Sequence, residues 1–184
     1  MKTTVVNLFA GPGAGKSTFC AGLFAALKWD NVSCEMALEY AKDMVWQNSL
    51  EVLNNQLYVF GKQQNRLHRL NEKVKVVITD SPLLNSLVYD ANTRTRTKSA
   101  FIEMVLAEHA HYDSLNFFIT RRKKYCQAGR LQDRAEALAL DKRIMDMLIE
   151  HHIPFDLVEG IPTNINNIIE RLEAHRPDLH KIDD

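Results

Sequence analysis

Residues 10–18 read AGPGAGKST, a combination of types and spacing suited to holding a row of phosphates. Glycines at 11, 13 and 15 let the backbone curl until its N–H groups point inward at anionic oxygens. Lys16 supplies a cation for β- and γ-phosphates, and the Ser17 hydroxyl is a ligand for Mg²⁺. The nucleotide-binding set is therefore Gly11, Pro12, Gly13, Ala14, Gly15, Lys16, Ser17 and Thr18, the Walker A pattern with Ala10 in place of the first glycine. A glycine-rich turn gains this chemistry only between a strand and the positive end of a helix. Both flanks qualify. Thr3 to Ala10 (TTVVNLFA) is a short β-branched and apolar run, and Phe19, Leu23, Phe24 and Leu27 recur at helical spacing.

Two further groups suit phosphate chemistry. Asp80 closes the apolar run KVVITD, where an acid can hold a magnesium-bound water or take a proton from an acceptor. The same residue, followed by Ser81-Pro82, also suits a helix cap. Residues 120–132 (TRRKKYCQAGRLQ) carry five cations, including Arg121, Arg122 and Arg130. Phosphoryl transfer spreads negative charge over the γ-phosphoryl oxygens, so a basic segment following a strand reads as a lid that closes over them.

These groups need elements to position them. Further strands are expected near Val32–Leu38, Lys75–Asp80, Leu115–Thr120 and Phe155–Val158. Helices are expected over Ser17–Leu27, Leu50–Asn71, Ser99–Tyr112, Arg134–Glu150 and Asn164–His175, with a polar, loose tail from Pro177 to Asp184. Strands alternating with helices argue for an α/β chain with a parallel sheet covered on both faces, one domain over residues 1–176.

Composition sets limits. With 23 basic and 23 acidic residues the bulk charge suggests neither a nucleic-acid nor a membrane partner, leaving only local patches. Three dispersed cysteines, no apolar stretch near 18 residues and no signal-peptide plan point to the cytoplasm. The base-reading N-K-x-D of GTPases is absent, and helicases need more chain. His109, His111, His151 and His152 lack the partners of a zinc site.

The order of motifs resembles the nucleoside and nucleotide kinase branch of P-loop proteins. It is similar in particular to small phage-encoded ATP-binding proteins related to nicotinamide riboside kinases. The pieces that carry this are AGPGAGKST (10–18), LEYAKDMVW (38–46), NQLYVFGKQQNRLHRL (55–70), VVITDSPLL (76–84) and RRKKYCQAGRLQ (121–132). The resemblance implies a three-layer fold with a five-stranded parallel sheet in order 2-3-1-4-5, a basic lid over about 121–133, and ATP with Mg²⁺. It also implies a phage-infected host cytoplasm. Glu39 and Asp80 would flank the acceptor from the ends of strands two and three; either could be the base, Asp80 the first choice and a metal-shell residue with Ser17, with Glu39 binding the acceptor or the metal shell. Gln56, Gln64 and Arg66 would lie on the helix covering the acceptor, Gln56 and Gln64 sharing a face. The loop Glu159-Gly160-Ile161-Pro162 would lie near the adenine.

The acceptor itself is left open. NTRTRTK (92–98) alternates cations with threonines, the usual groups for phosphate-backbone contact. Arg94 and Arg96, with the lid, would suit hydroxymethylated DNA, and kinases resembling this chain phosphorylate 5-hydroxymethyluracil within DNA. Tyr89 or Trp46 would then stack on a flipped base. A free deoxynucleoside monophosphate or nucleoside acceptor, and a slow ATP-dependent switch, stand as alternatives. Monomer and homodimer are both compatible with the sequence.

Overall fold

The computed structural model describes residues 2–89, 98–122, 126 and 132–180. Its elements in chain order are β1 (Thr4–Phe9), α1 (Lys16–Trp29), β2 (Cys34–Ala37), α2 (Tyr40–Trp46), α3 (Gln56–His68), β3 (Val76–Thr79) and α4 (Asn85–Tyr89). They continue as α5 (Lys98–His111), β4 (Asp113–Thr120), α6 (Arg134–Glu150), β5 (Asp156–Glu159) and α7 (Ile165–His175). The strands form one parallel sheet in order β2-β3-β1-β4-β5, the architecture expected from the sequence.

Alternation along the strands builds the three layers. In β1, Val6 and Leu8 join a core with Phe19, Leu23 and Leu27 of α1 and Ile168 and Leu172 of α7. Val5 and Phe9 point the other way, toward Phe60 and Leu67 of α3, Val105 of α5 and Ile144 and Leu148 of α6. Both faces of the sheet are thus covered, as parallel strands require. Asn7 is buried in β1, but it donates to Asn116 Oδ1 at 3.0 Å, and Asn116 in turn donates to the Pro154 carbonyl at 3.0 Å. Both amide nitrogens of this central pair thereby have acceptors.

The helix expected over Leu50–Asn71 is two elements, a 3₁₀ turn over Leu50–Asn54 and then α3. Asn55 makes the break: its side chain accepts from the Tyr58 N–H at 3.1 Å and caps α3. Tyr40–Trp46, to which periodicity assigned no element, is the short helix α2. The tail is not loose from Pro177 onward. Leu179 is 1% exposed in the first core, and Arg176 donates to the Lys2 carbonyl and Thr4 Oγ1 at 2.9 and 3.0 Å. Packing therefore continues to His180, because one apolar residue in the tail finds the groove beside α7 and β1. Trp29, the last residue of α1, is 85% exposed. Among the described residues no helix is long and apolar enough to cross a membrane.

Candidate active site

The site is built at the carboxyl ends of β1, β2 and β3, where parallel sheets hold ligands. After β1 the backbone takes positive φ at Gly13 (79°) and Gly15 (110°), a path open to glycine and costly for other residues. Lys16 opens α1 and folds back, its Nζ donating to the carbonyls of Ala10 at 2.8 Å and Gly11 at 3.2 Å. Burial lowers the Lys16 pKa from its ordinary value, opposed by the nearby carboxylates of Glu39, Asp80 and Asp141. Incoming phosphate oxygens would replace those two carbonyls as acceptors for the same ammonium.

Asp80 is 2% exposed, one residue beyond β3. Its Oδ2 accepts from Ser17 Oγ at 2.6 Å, and its Oδ1 accepts from the Glu39 N–H at 3.0 Å. One carboxylate thereby ties the end of β2 to the phosphate loop. Gln63 of α3 completes the support. Its Oε1 accepts from the Tyr40 N–H at 3.1 Å and its Nε2 donates to the Leu38 carbonyl at 3.3 Å, one residue on either side of Glu39.

On the opposite flank, Asp141 of α6 accepts from the Gly11 N–H at 2.5 Å with Oδ1. Its Oδ2 accepts from Arg121 Nε at 3.1 Å and Nη2 at 2.9 Å, while Arg121 Nη1 donates to the Pro12 carbonyl at 2.8 Å. A Cβ at Gly11 would stand 2.5 Å from the Ala137 carbonyl oxygen and 2.8 Å from Asp141 Oδ1. Gly11 is thus required for the approach of α6, a different reason from the turn geometry at 13 and 15. Arg122 pairs with Glu159 at the rim. The Gly160 N–H donates to the Thr120 carbonyl at 2.8 Å, drawing the loop after β5 toward the start of the basic segment.

A cavity of about 400 Å³ runs from Pro12–Thr18 across Glu39 into a cleft between α2, α3 and α4, a size usual for a small-molecule site. Lys42, Val45, Trp46 and Gln56 line the cleft together with Pro82, Asn85, Ser86 and Tyr89. Burial pushes the Tyr89 hydroxyl pKa up, so it stays protonated.

Several expected residues fall elsewhere. Asp80 does not line the cavity; it stands behind Ser17 with both oxygens engaged, and Glu39 is the carboxylate residue on the lining. Gln64 turns toward α5, its Nε2 3.4 Å from Glu108 Oε2, and Arg66 is held by the Leu38 carbonyl and Asp43. Seven residues bring a helix to within about 20° of two full turns, whereas eight overshoot two turns by about 80°. Gln56 therefore shares its face with Gln63, not with Gln64. Arg94, Arg96 and Arg130 lie outside the described residues, as do 123–125 and 127–131 of the proposed lid. Sequence reasoning missed Asp141, Gln63, Asn85 and Gln132. The seven-residue spacing of Gln56 and Gln63 was a usable signal; Asp141, in the middle of a periodic helix, carried none.

Among the described residues no group of three His, Cys, Asp or Glu side chains could hold a metal ion. His109 is buried, and burial lowers its pKa to about 4, leaving it neutral. The Ser17–Asp80 pair fits Mg²⁺ in another way. It offers hard oxygens beside the phosphate cradle, where this ion is typically held by few protein ligands plus substrate phosphates and water.

A five-stranded parallel sheet with a phosphate-binding loop after its first strand defines a P-loop nucleotide-binding protein. The chain belongs to the AAA domain family, whose model matches residues 5–164. No curated protein matches it in sequence. Among solved structures it is similar to the NadR protein solved in complex with NR, with TM-score 0.66 and 12% identity over 98% of this chain and 52% of that one. The chain thus spans about half the length of that neighbour, and the likeness is one of fold.

Proposed function

We propose that this protein is an ATP-dependent kinase acting on a hydroxyl of a nucleoside-type acceptor. The observation that carries the proposal is a cavity whose lining joins the phosphate loop, Glu39 and an aromatic cleft. A nucleotide switch has no need of such a cleft. The NR ligand of the fold neighbour supports an acceptor of similar kind.

In this reading Lys16 swings from the loop carbonyls to the β- and γ-phosphates. Ser17 and Asp80 would hold Mg²⁺, which would supply a counter-charge for the phosphates. Glu39 accepts the proton of the acceptor hydroxyl as its oxygen forms a bond to the γ-phosphorus. The bond from that phosphorus to the β–γ bridging oxygen breaks, and ADP leaves. Glu39 takes the base role from Asp80, which is occupied in aligning Ser17 and the Glu39 backbone. Arg121, docked at Pro12, is the described arginine best placed to meet phosphate charge.

The acceptor we put first is the hydroxymethyl group of 5-hydroxymethyluracil in DNA, with a free deoxynucleoside monophosphate second. Trp46, 67% exposed on the cavity wall, suits stacking against an extruded base. Lys42, also on the lining, suits a phosphate of either acceptor. The test is transfer of labelled γ-phosphate from ATP with Mg²⁺ to hydroxymethyluracil DNA, thymine DNA and free monophosphates in parallel. Label in the first alone supports the DNA reading, and label in a monophosphate alone replaces it with the second. Phosphate release with no labelled acceptor would overturn the kinase assignment in favour of a switch.

A further inference from the structure

Glu39 stands at the junction of β2 and α2, in the N-cap position of the helix, yet its side chain makes no cap hydrogen bond. The first amides of a helix have no partners within it. Here two N–H groups of the junction are taken by buried side chains from other elements. The Glu39 N–H donates to Asp80 Oδ1 at 3.0 Å, and the Tyr40 N–H donates to Gln63 Oε1 at 3.1 Å. Gln63 Nε2 in turn donates to the carbonyls of Leu38 at 3.3 Å and Ala37 at 3.5 Å. One amide from α3 thus grips the chain on both sides of Glu39.

The residue type fits this task. The head must accept from an N–H on one side and donate to carbonyls on the other. An amide does both without charge, whereas a carboxylate of the same length would set an oxygen against the two carbonyls. Gln63 lines the cavity but is only 4% exposed, and both ends of its amide are engaged with backbone. Its part is to hold the junction, not to touch a ligand. The neighbouring glutamines do something else: Gln56 Nε2 donates to the Leu53 carbonyl, and Gln64 Nε2 to Glu108.

We infer that Gln63 is a positioning residue for phosphoryl transfer: it fixes the backbone from Ala37 to Tyr40, and through it the Glu39 carboxylate, where the acceptor hydroxyl gives up its proton. This inference rests on the reading of Glu39 as the base of an ATP-dependent kinase. Misplacing a reacting group by about 1 Å can lower a rate by about a hundredfold. The phosphate loop is held by Asp80 and Asp141, not by Gln63, so nucleotide binding is left intact.

The test is a double-mutant cycle on transfer of labelled γ-phosphate from ATP with Mg²⁺. The acceptor is whichever of hydroxymethyluracil DNA and free deoxynucleoside monophosphates the wild type labels. Gln63→Met keeps the length of the side chain and removes both hydrogen-bonding ends. It is expected to lower kcat by about tenfold to a hundredfold, with calorimetric ATP affinity within about twofold of wild type. In the Glu39→Gln background the same change should lower kcat by no more than about twofold, because a residue acting through Glu39 has nothing left to position. If Gln63→Met does not fold, Gln63→Glu is read in its place. Losses that multiply across the two positions, an unchanged kcat in Gln63→Met, or an ATP affinity that falls as far as kcat overturns the inference and leaves the kinase reading standing. Undiminished kcat in Glu39→Gln removes the base, and the inference with it, while transfer persists. Failure of the kinase reading is a separate result: the wild type labels no acceptor, and Gln63 loses its role as well.

Discussion

The two ends of the cavity are made differently. At the phosphate end the groups are short-range and engaged: Lys16 with the carbonyls of Ala10 and Gly11, Ser17 with Asp80, and Gly11 and Arg121 with Asp141. At the acceptor end the walls are side chains from three separate helices, with an exposed indole at Trp46. Phosphate is recognised by backbone geometry and charge, which a nine-residue motif can encode. A base is recognised by shape and by a few hydrogen bonds from distant segments. The phosphate end is therefore held by its own contacts, whereas the cleft end is assembled from elements far apart in sequence.

Removing the phosphate-end cation should have the largest effect. Lys16→Ala is expected to lower transfer by on the order of a thousandfold or more, with the thermal transition unchanged. Near-normal turnover in a folded variant would break the assignment of this end.

Next come the two acids. Glu39→Gln should reduce kcat by about a hundredfold to ten-thousandfold while ATP affinity holds. Asp80→Asn should also weaken ATP·Mg²⁺ binding, since it loosens Ser17. A pure kcat loss in Asp80→Asn with a mild Glu39→Gln phenotype would return the base role to Asp80.

Asp141→Ala sharpens the contrast from the other flank. The Arg121–Asp141 pair is largely shielded, with side chains 11% and 17% exposed, so stranding the arginine should cost about 3 kcal/mol of stability. Denaturant unfolding measures this. ATP affinity should fall as well, and an unchanged value would mean that the clamp supports α6 alone. Smallest is Trp46→Ala, expected to weaken acceptor affinity by roughly tenfold through lost stacking while leaving ATP affinity as it was. If it altered ATP affinity equally, the two ends would not be separable.

Legibility in the sequence follows the same division. The strands, the order of elements, the phosphate loop and the helix Arg134–Glu150 are visible in periodicity and in contiguous motifs, because each depends on neighbours a few residues away. The break at Asn55 was hidden, since apolar spacing runs through a 3₁₀ turn almost undisturbed. Leu179 was hidden by a polar setting, though a single buried leucine suffices to dock the tail.

By itself, the sequence determined a P-loop α/β chain and singled out the phosphate loop and the two acids Glu39 and Asp80. Tertiary structure alone decided which acid faces the cavity, which glutamine joins it and which carboxylate grips the loop from α6. The physical reason is distance along the chain. Gly11 meets Asp141 and Ser17 meets Asp80 across long sequence separations. No local pattern specifies such contacts; they follow from the angles at which helices settle on the sheet.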